Sequence, residues 1–325
     1  MYNKDSRIIE VFSNQAKGNV EDANELRDAH DYIKELAAKA SPESRFEISQ
    51  IMKVLIDDNL EESLDFIELI ADTVVTDMDE RALFEVEYNG LQAMWQAKSG
   101  TTRRSELTSQ RFSIDTEEVS IRPKVNFNDL VTGKVDVVHL ADLASKEMEV
   151  KIVQRIQDTI YDAFKDSEIP NYASGSGITK GAFDPILHAM KRAGGNATII
   201  GDGVALTQFT ELAGFGSVPE ALAIEHNQNG RIGTYLGSPL VQLYNPFAPN
   251  TLNETRLRQD LIYVVPNVQD SLKPVKVQFE GDVQAMDDTD IDSKVYEFRF
   301  DQRVGVAIAG IRHLLGVYED LQLGK

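Results

Sequence analysis

Apolar residues recur at intervals of three and four between about residues 20 and 80, which is the spacing of one helix face. The pattern predicts three helices. The first ends at Ser41-Pro42, where Ser41 suits an N-cap and Pro42 the first turn of the second helix. The third follows Asn59 and continues through Val75. Together they predict a small helical bundle or helical hairpin of about 60 residues, which is expected to be a domain of its own.

The residues that follow the helices give a weaker signal. Apolar positions between Leu83 and Trp95 predict a further helix, which Asn89-Gly90 weakens. The polar run Ser99–Ser105 is typical of a linker. A domain junction is therefore expected before residue 111.

Strict alternation of apolar and polar residues begins at Glu118 and continues to Asn128, the period of a half-buried strand. Pro123 lies inside this run and indicates an edge strand or a free-standing arm. We predict a long β-hairpin arm over 111–141. Since a lone hairpin is marginally stable, its apolar stripe is expected to lie on a second copy of the chain. The expected inter-subunit contacts are Val119, Ile121, Val125, Phe127, Val135 and Val137.

A long amphipathic helix is predicted after the arm, with Asp142 or Ser145 as its N-cap. A second helix is predicted over Ala182–Arg192, and short strands and helices follow it. Long alternating strands return between Val275 and Ile308. The apolar stripe of the long helix consists of Ile152, Val153, Ile156, Ile160, Ala163 and Phe164.

Composition narrows the classes of function. The 325 residues are enough for two or three packed regions, and no apolar run is long enough to cross a bilayer. The absence of cysteine excludes disulfide scaffolds, thiolate metal sites and cysteine nucleophiles. The net charge of −20 should repel nucleic acid from the chain as a whole, although the wall of a container can face DNA without gripping it. A solvated acidic surface that keeps the chain soluble explains the same charge.

Motifs for catalysis or cofactor binding are weak. The loop Gly175–Gly181 resembles a phosphate-binding loop, but its lysine precedes the last glycine, which is the reverse of the order that such loops require. The acidic run from Asp288 has the opening spacing of a calcium loop, yet Ser293 and Arg299 stand where glycine and glutamate are needed. No two histidines have ligand spacing, and no nucleophile elbow is present. We predict no catalytic, cofactor-binding or metal-binding residue and no enzyme.

Charged residues alternate along the last long strand. Because opposite charges at this spacing pair across strands or between subunits, they are predicted to fix the register between neighbouring subunits. The residues are Glu297, Arg299, Asp301 and Arg303.

The order of these elements resembles the HK97-fold major capsid proteins of tailed bacteriophages, an α+β fold. The segment from Arg122-Pro123-Lys124 to Asp136 is similar to their E-loop, Lys146–Asp166 to their spine helix, and the closing YEFRFDQRVGVAI to the end of their returning strands. The helical first third resembles the N-terminal scaffold-like region of some members. The resemblance implies an N-terminal helical region and arm at 1–110, an E-loop hairpin at 111–141, a peripheral domain with the spine helix at 142–195 and 270–325, and an axial domain at 196–269.

The resemblance implies a major capsid protein whose copies form hexamers and pentamers and close into an icosahedral shell around double-stranded DNA. Portal, scaffold and decoration proteins are further expected partners; sequence-specific DNA binding and a membrane are not expected. The expected location is the virion capsid, and the host cytoplasm during assembly. Two alternatives remain: an encapsulin-like compartment, which shares the fold, and an α+β enzyme with an atypical site.

Overall fold

The computed structural model describes residues 8, 10–12, 14, 23–39, 41–89, 107–165, 169–212, 233–249, 251–268, 272–290, 295–309 and 314–323. The helices are α1 (Ala23–Lys39), α2 (Pro42–Ile70), α3 (Phe127–Val131), α4 (Val137–Phe164), α5 (Lys180–Gly194) and α6 (Gly203–Glu211). The strands are β1 (Ala71–Thr76), β2 (Leu83–Asn89), β3 (Leu107–Ser113), β4 (Glu117–Ile121), β5 (Lys124–Asn126), β6 (Tyr172–Gly175), β7 (Ala197–Asp202), β8 (Thr234–Tyr235), β9 (Ser238–Leu243), β10 (Leu261–Pro266), β11 (Val275–Asp290), β12 (Val295–Ile308) and β13 (Gly316–Asp320).

The predicted boundary between the first two helices is confirmed. The side chain of Ser41 accepts a hydrogen bond from the backbone N–H of Ser44 at 3.2 Å, and Pro42 opens α2. The predicted second and third helices are one continuous helix, because Asn59 costs a helix interior less than about 1 kcal/mol. That helix stops at Ile70, and Val75 lies in β1, where β-branched neighbours favour a strand.

The first sheet has the strand order β1-β11-β12-β4, with β5 also paired to β12. Strand β1 runs parallel to β11, and the remaining pairs are antiparallel. On one face, Val275, Val277 and Phe279 join the main hydrophobic core with α2 and α4. Residues of α1 belong to this core as well, so the predicted independent helical domain is wrong: the N-terminal helices pack on the rest of the chain.

The predicted long helix is confirmed as α4, but it begins earlier than expected. Asp136, and neither Asp142 nor Ser145, is its N-cap, and the Asp136 side chain accepts from the N–H of Val138 at 2.9 Å. The buried stripe contains the predicted Ile152, Val153, Ile156, Ile160 and Phe164. The helix therefore forms the spine of the main core.

The second sheet has the strand order β6-β13-β10-β7-β9-β8. Helices α5 and α6 pack on it through an aromatic cluster in which the rings of Phe183 and Phe209 are 4.8 Å apart. The predicted grouping of 182–192 and of the whole C-terminal segment with the first sheet is thus wrong for α5 and β13. Strand β13 pairs with β10 and β6. The spacing of apolar residues within a segment does not show which distant strand that segment pairs with.

The predicted hairpin arm at 111–141 is wrong. Strands β4 and β5 add to the edge of the first sheet beside β12, and α3 follows them before α4 begins. Alternation predicted the strand correctly but could not identify its partner, which lies in the same chain. Of the expected inter-subunit contacts, Val125 and Val137 are buried in the main core, and four partly buried side chains pack against it: Val119, Ile121, Phe127 and Val135.

Candidate assembly surfaces

A different part of the chain forms the free-standing arm. Strands β2 and β3 pair antiparallel over seven residues each, and among the described residues neither pairs with another strand. At about 3.4 Å per residue, each strand is roughly 24 Å long. The helix predicted from Leu83 onward is therefore wrong for residues 83–89, while the predicted linker Ser99–Ser105 lies outside the described residues.

The sequence that joins the two arm strands differs from the rest of the chain in charge. Between Gly90 and Ser105 it carries Lys98, Arg103 and Arg104 and no acidic residue. Trp95, the single tryptophan of the protein, lies in the same segment. Since the whole chain has a net charge of −20, the residues outside this segment carry −23. The arm therefore joins one basic segment to an acidic body.

The arm is rooted on the first sheet by a small apolar cluster. Phe84 stacks on Phe112 with ring centroids 5.9 Å apart, and Ala82 and Ile114 are buried beside them. Gly305 of β12 lies directly beneath: a Cβ atom there would be 2.8 Å from Cγ2 of Ile114 and 3.0 Å from the carbonyl oxygen of Asp115. Glycine is thus required at this position for the arm root to approach the sheet.

The predicted inter-subunit charges form ion pairs within the chain. Arg299 binds Asp301 at 2.8 Å and Glu297 pairs with Arg122. Arg303 lies 2.8 Å from Glu280 and 3.1 Å from Asp79. These side chains fix β12 against its own neighbours, which is the cross-strand pairing that the alternation allowed. A role in setting the register between subunits stays a prediction. Glu280 and Asp79, the partners that sequence reasoning missed, stand far from Arg303 along the chain.

A second surface lies at the end of the second sheet, in the loop between β9 and β10. Asn245 holds the loop closed: its amide donates to Asp202 at 2.9 Å and to the carbonyl of Leu257 at 3.0 Å. Three large apolar side chains nevertheless face solvent, with 73% of Tyr244, 54% of Phe247 and 82% of Leu252 exposed. Large apolar side chains that are exposed on one loop are typical of a protein contact surface.

The same loop is tied to the spine helix. Arg256 forms an ion pair with Glu147 of α4, and the N–H of Arg258 donates to Gln157 of the same helix at 3.0 Å. The apolar surface is therefore held at a fixed position relative to the main core.

Candidate metal ligands are not grouped in the described residues. Within them, no group of three or more His, Cys, Asp or Glu side chains is placed to hold a metal ion. No helix in the described part of the chain is long and apolar enough to cross a membrane. The surfaces described above are suited to contact with other proteins.

Comparison with known proteins gives one matching family and several solved structures of similar fold. A family model described as "SPbeta prophage-derived putative capsid protein YonB" matches residues 2–317. A chain from Mycobacterium phage Adephagia is similar with a TM-score of 0.53 at 12% identity, covering 78% of this chain and 89% of that chain. The capsid of a native GTA particle is similar with a TM-score of 0.51 at 13% identity, covering 79% and 89%. At these identities, both likenesses show the fold alone.

A virus-like particle from Pyrococcus furiosus covers 83% of this chain and 98% of its own at 13% identity, but its TM-score of 0.49 supports no assignment. No curated protein sequence matches the chain significantly.

Proposed function

Because this chain belongs to the YonB family of prophage-derived capsid proteins, it is a shell subunit, and we propose that its copies close into the icosahedral head shell that encloses double-stranded phage DNA. Membership of a capsid family implies a structural role and not a catalytic one. The proposed contacts come from the two surfaces described above. The arm reaches a neighbouring copy, and the apolar loop lies against another within the same ring of subunits.

The observation that carries this proposal is the free-standing β2–β3 arm. A two-stranded hairpin is marginally stable in water unless it lies on another surface. In the described part of the arm, the half nearest the sheet packs on its own chain, around Phe84 and Ile114 and through Val86, which is buried with Ala309. The basic segment 90–105 complements the charge of −23 on the rest of the chain, so the acidic surface of a second copy is the partner that fits it. Head-to-tail contacts of this kind generate rings when the rotation closes.

The two sheets correspond to the two domains that we propose for the subunit. The first sheet with α4 forms the peripheral domain, and the second sheet with α5 and α6 forms the axial domain, whose copies meet around the five-fold and six-fold axes. The exposed apolar loop, with Tyr244 and Leu252, belongs to the axial domain. This proposed division differs from the one expected from sequence, since β13 pairs with β10 and β6 of the second sheet.

The acidic charge supports a shell wall that faces DNA without binding its sequence. Portal, scaffold and decoration proteins are further proposed partners. Assembly is proposed to take place in the host cytoplasm, before the subunit becomes part of the virion.

Shortening the arm tests the role assigned to it. Residues 90–105 are replaced by a short glycine linker, so that β2 and β3 remain joined while the basic segment is lost. We expect a folded chain that elutes as a small species and gives no shells by negative-stain microscopy. Normal shells from this variant would contradict the proposal.

The charge of the segment is tested separately. Reversing Lys98, Arg103 and Arg104 to glutamate is expected to reduce shell yield strongly, because the segment would then face an acidic surface with like charge. The matched control exchanges lysine and arginine at the same three positions, which keeps the charge and should keep the shells. Shells that contain a protein cargo and no DNA would indicate an encapsulin-like compartment instead.

A further inference from the structure

The face of the first sheet beneath the arm is buried but polar. Lys276, Gln278 and Glu280 alternate with the core residues of β11 and point away from the main core. Nζ of Lys276 lies 2.7 Å from Asp72, and the amide of Gln278 donates to the carbonyl of Glu80 at 2.9 Å. Polar contacts to Glu80 and Asp79 therefore accompany the apolar clusters where the arm meets the sheet.

Glu280 contacts both segments that lead into the arm. On the incoming side, the backbone N–H of Asp79 donates to its Oε1 at 3.0 Å. On the outgoing side, the hydroxyl of Thr116 donates to its Oε2. Arg303 of β12 donates to Oε1 of Glu280 at 2.8 Å and also reaches Asp79 at 3.1 Å. One carboxylate therefore joins the two ends of the arm to each other and to the sheet.

The backbone at this junction is held in an uncommon conformation. Asp79 has a φ of +62°, in the left-handed region that residues other than glycine seldom occupy. Its N–H points at Glu280 from this conformation. Hydrogen bonds from Thr116 and Arg303 hold the pKa of Glu280 below its usual value, so the side chain is charged at neutral pH. A charged acceptor forms stronger hydrogen bonds than a neutral one.

We propose that Glu280 is the positioning residue that fixes the direction of the arm relative to the first sheet. The segment with Asp79 follows β1, the segment with Thr116 precedes β4, and Glu280 joins the two segments at one point between these strands. This inference rests on the proposed function only for its consequence, namely that every subunit presents its arm to a neighbour at the same angle.

The absence of cysteine allows the direction of the arm to be measured directly. Spin labels are placed at Ser109→Cys on β3 and at Lys151→Cys on α4, both exposed positions, and the distance between them is measured by double electron–electron resonance on the unassembled full chain. A single narrow distance population is expected for the parent chain. Glu280→Gln keeps the size of the side chain and removes its charge, and it should abolish this single population. Asp282→Asn, at an exposed carboxylate two residues away, is the matched control and should keep it.

A second label pair separates loss of arm direction from loss of folding. Lys151→Cys with Glu254→Cys, another exposed position, reports the distance from α4 to the loop between β9 and β10, and this distance should be unchanged by Glu280→Gln. Thr116→Val removes only one donor to Glu280 and should broaden the arm distance less than Glu280→Gln does.

A narrow arm distance in Glu280→Gln, or equal broadening of both distances, would overturn the assignment. Because these distances are measured before assembly, failure to form shells would count against the proposed function and leave this test unaffected.

Discussion

Replacing Gly305 by alanine should push the root of the arm away from the first sheet. The new Cβ would stand 2.8 Å from Cγ2 of Ile114 and 3.0 Å from the carbonyl oxygen of Asp115, both closer than ordinary van der Waals contact. Ile114 is buried and β-branched, so its methyl group cannot turn aside easily. The two segments must therefore separate by roughly half an ångström, and overpacking of this kind typically costs about 1–3 kcal/mol.

An opposing effect has to be subtracted. Alanine restricts the unfolded chain more than glycine does, which stabilises the folded state by about 0.4–1 kcal/mol where the backbone permits it. The net expectation is a loss of about 1–2 kcal/mol, confined to the arm root. Hydrogen–deuterium exchange should show faster exchange in the peptides that contain 107–116 and unchanged exchange in α4.

Gly181 provides the matched control. Nothing lies within 4 Å of a Cβ built at that position in α5, so Gly181→Ala creates no clash and replaces a poor helix former by a good one. It should leave the arm unchanged and keep or raise the melting temperature. If the arm peptides of Gly305→Ala show the same hydrogen–deuterium exchange rates as those of the parent chain, the arm and the sheet do not approach this closely in solution.

Two further changes test the core and the second surface. Phe164→Ala removes a fully buried ring at the end of α4 and should lower the free energy of unfolding by about 3–5 kcal/mol, measured by urea denaturation; a loss below 1 kcal/mol would show that the helix end is not packed as described. Replacing Tyr244 and Leu252 together by serine should leave the urea midpoint unchanged, since both side chains are exposed, while reducing shell yield in sedimentation; unchanged yield would remove the loop from the assembly surfaces.

The HK97-like α+β fold predicted from the order of elements is confirmed, as is the capsid role that the resemblance implied. Sequence patterns predicted the structure best where it depends on contacts within a single segment. The cap at Ser41 and the stripe of α4 depend on contacts within a few residues or on one helix face, and both appear in the structure as predicted.

The arm could not be identified from the sequence pattern. The alternation after Glu118 indicated a strand, and Pro123 indicated an edge, and both are correct. The missing partner was β12 of the same chain, about 180 positions later, and not a neighbouring subunit. The true arm, β2 and β3, also alternates in its first strand, which ends at Asn89. The apolar positions through Trp95 nevertheless favour a helix that Asn89-Gly90 only weakens, so the pattern alone predicts the wrong element.

The sequence by itself determined the long helix, the strand run after Glu118, the long strands between Val275 and Ile308, the absence of thiol chemistry and the contrast between a basic segment and an acidic body. These follow from composition and from periodicity along one segment. Only the tertiary structure decided which two strands form the free-standing arm, which charged side chains form ion pairs within the chain, and which glycine lies under the arm root. Glu280, Arg303 and Asp79 illustrate the reason. Their pairing energy depends on distances that exist only after β11 and β12 have folded beside the arm root, and sequence separation carries no information about those distances.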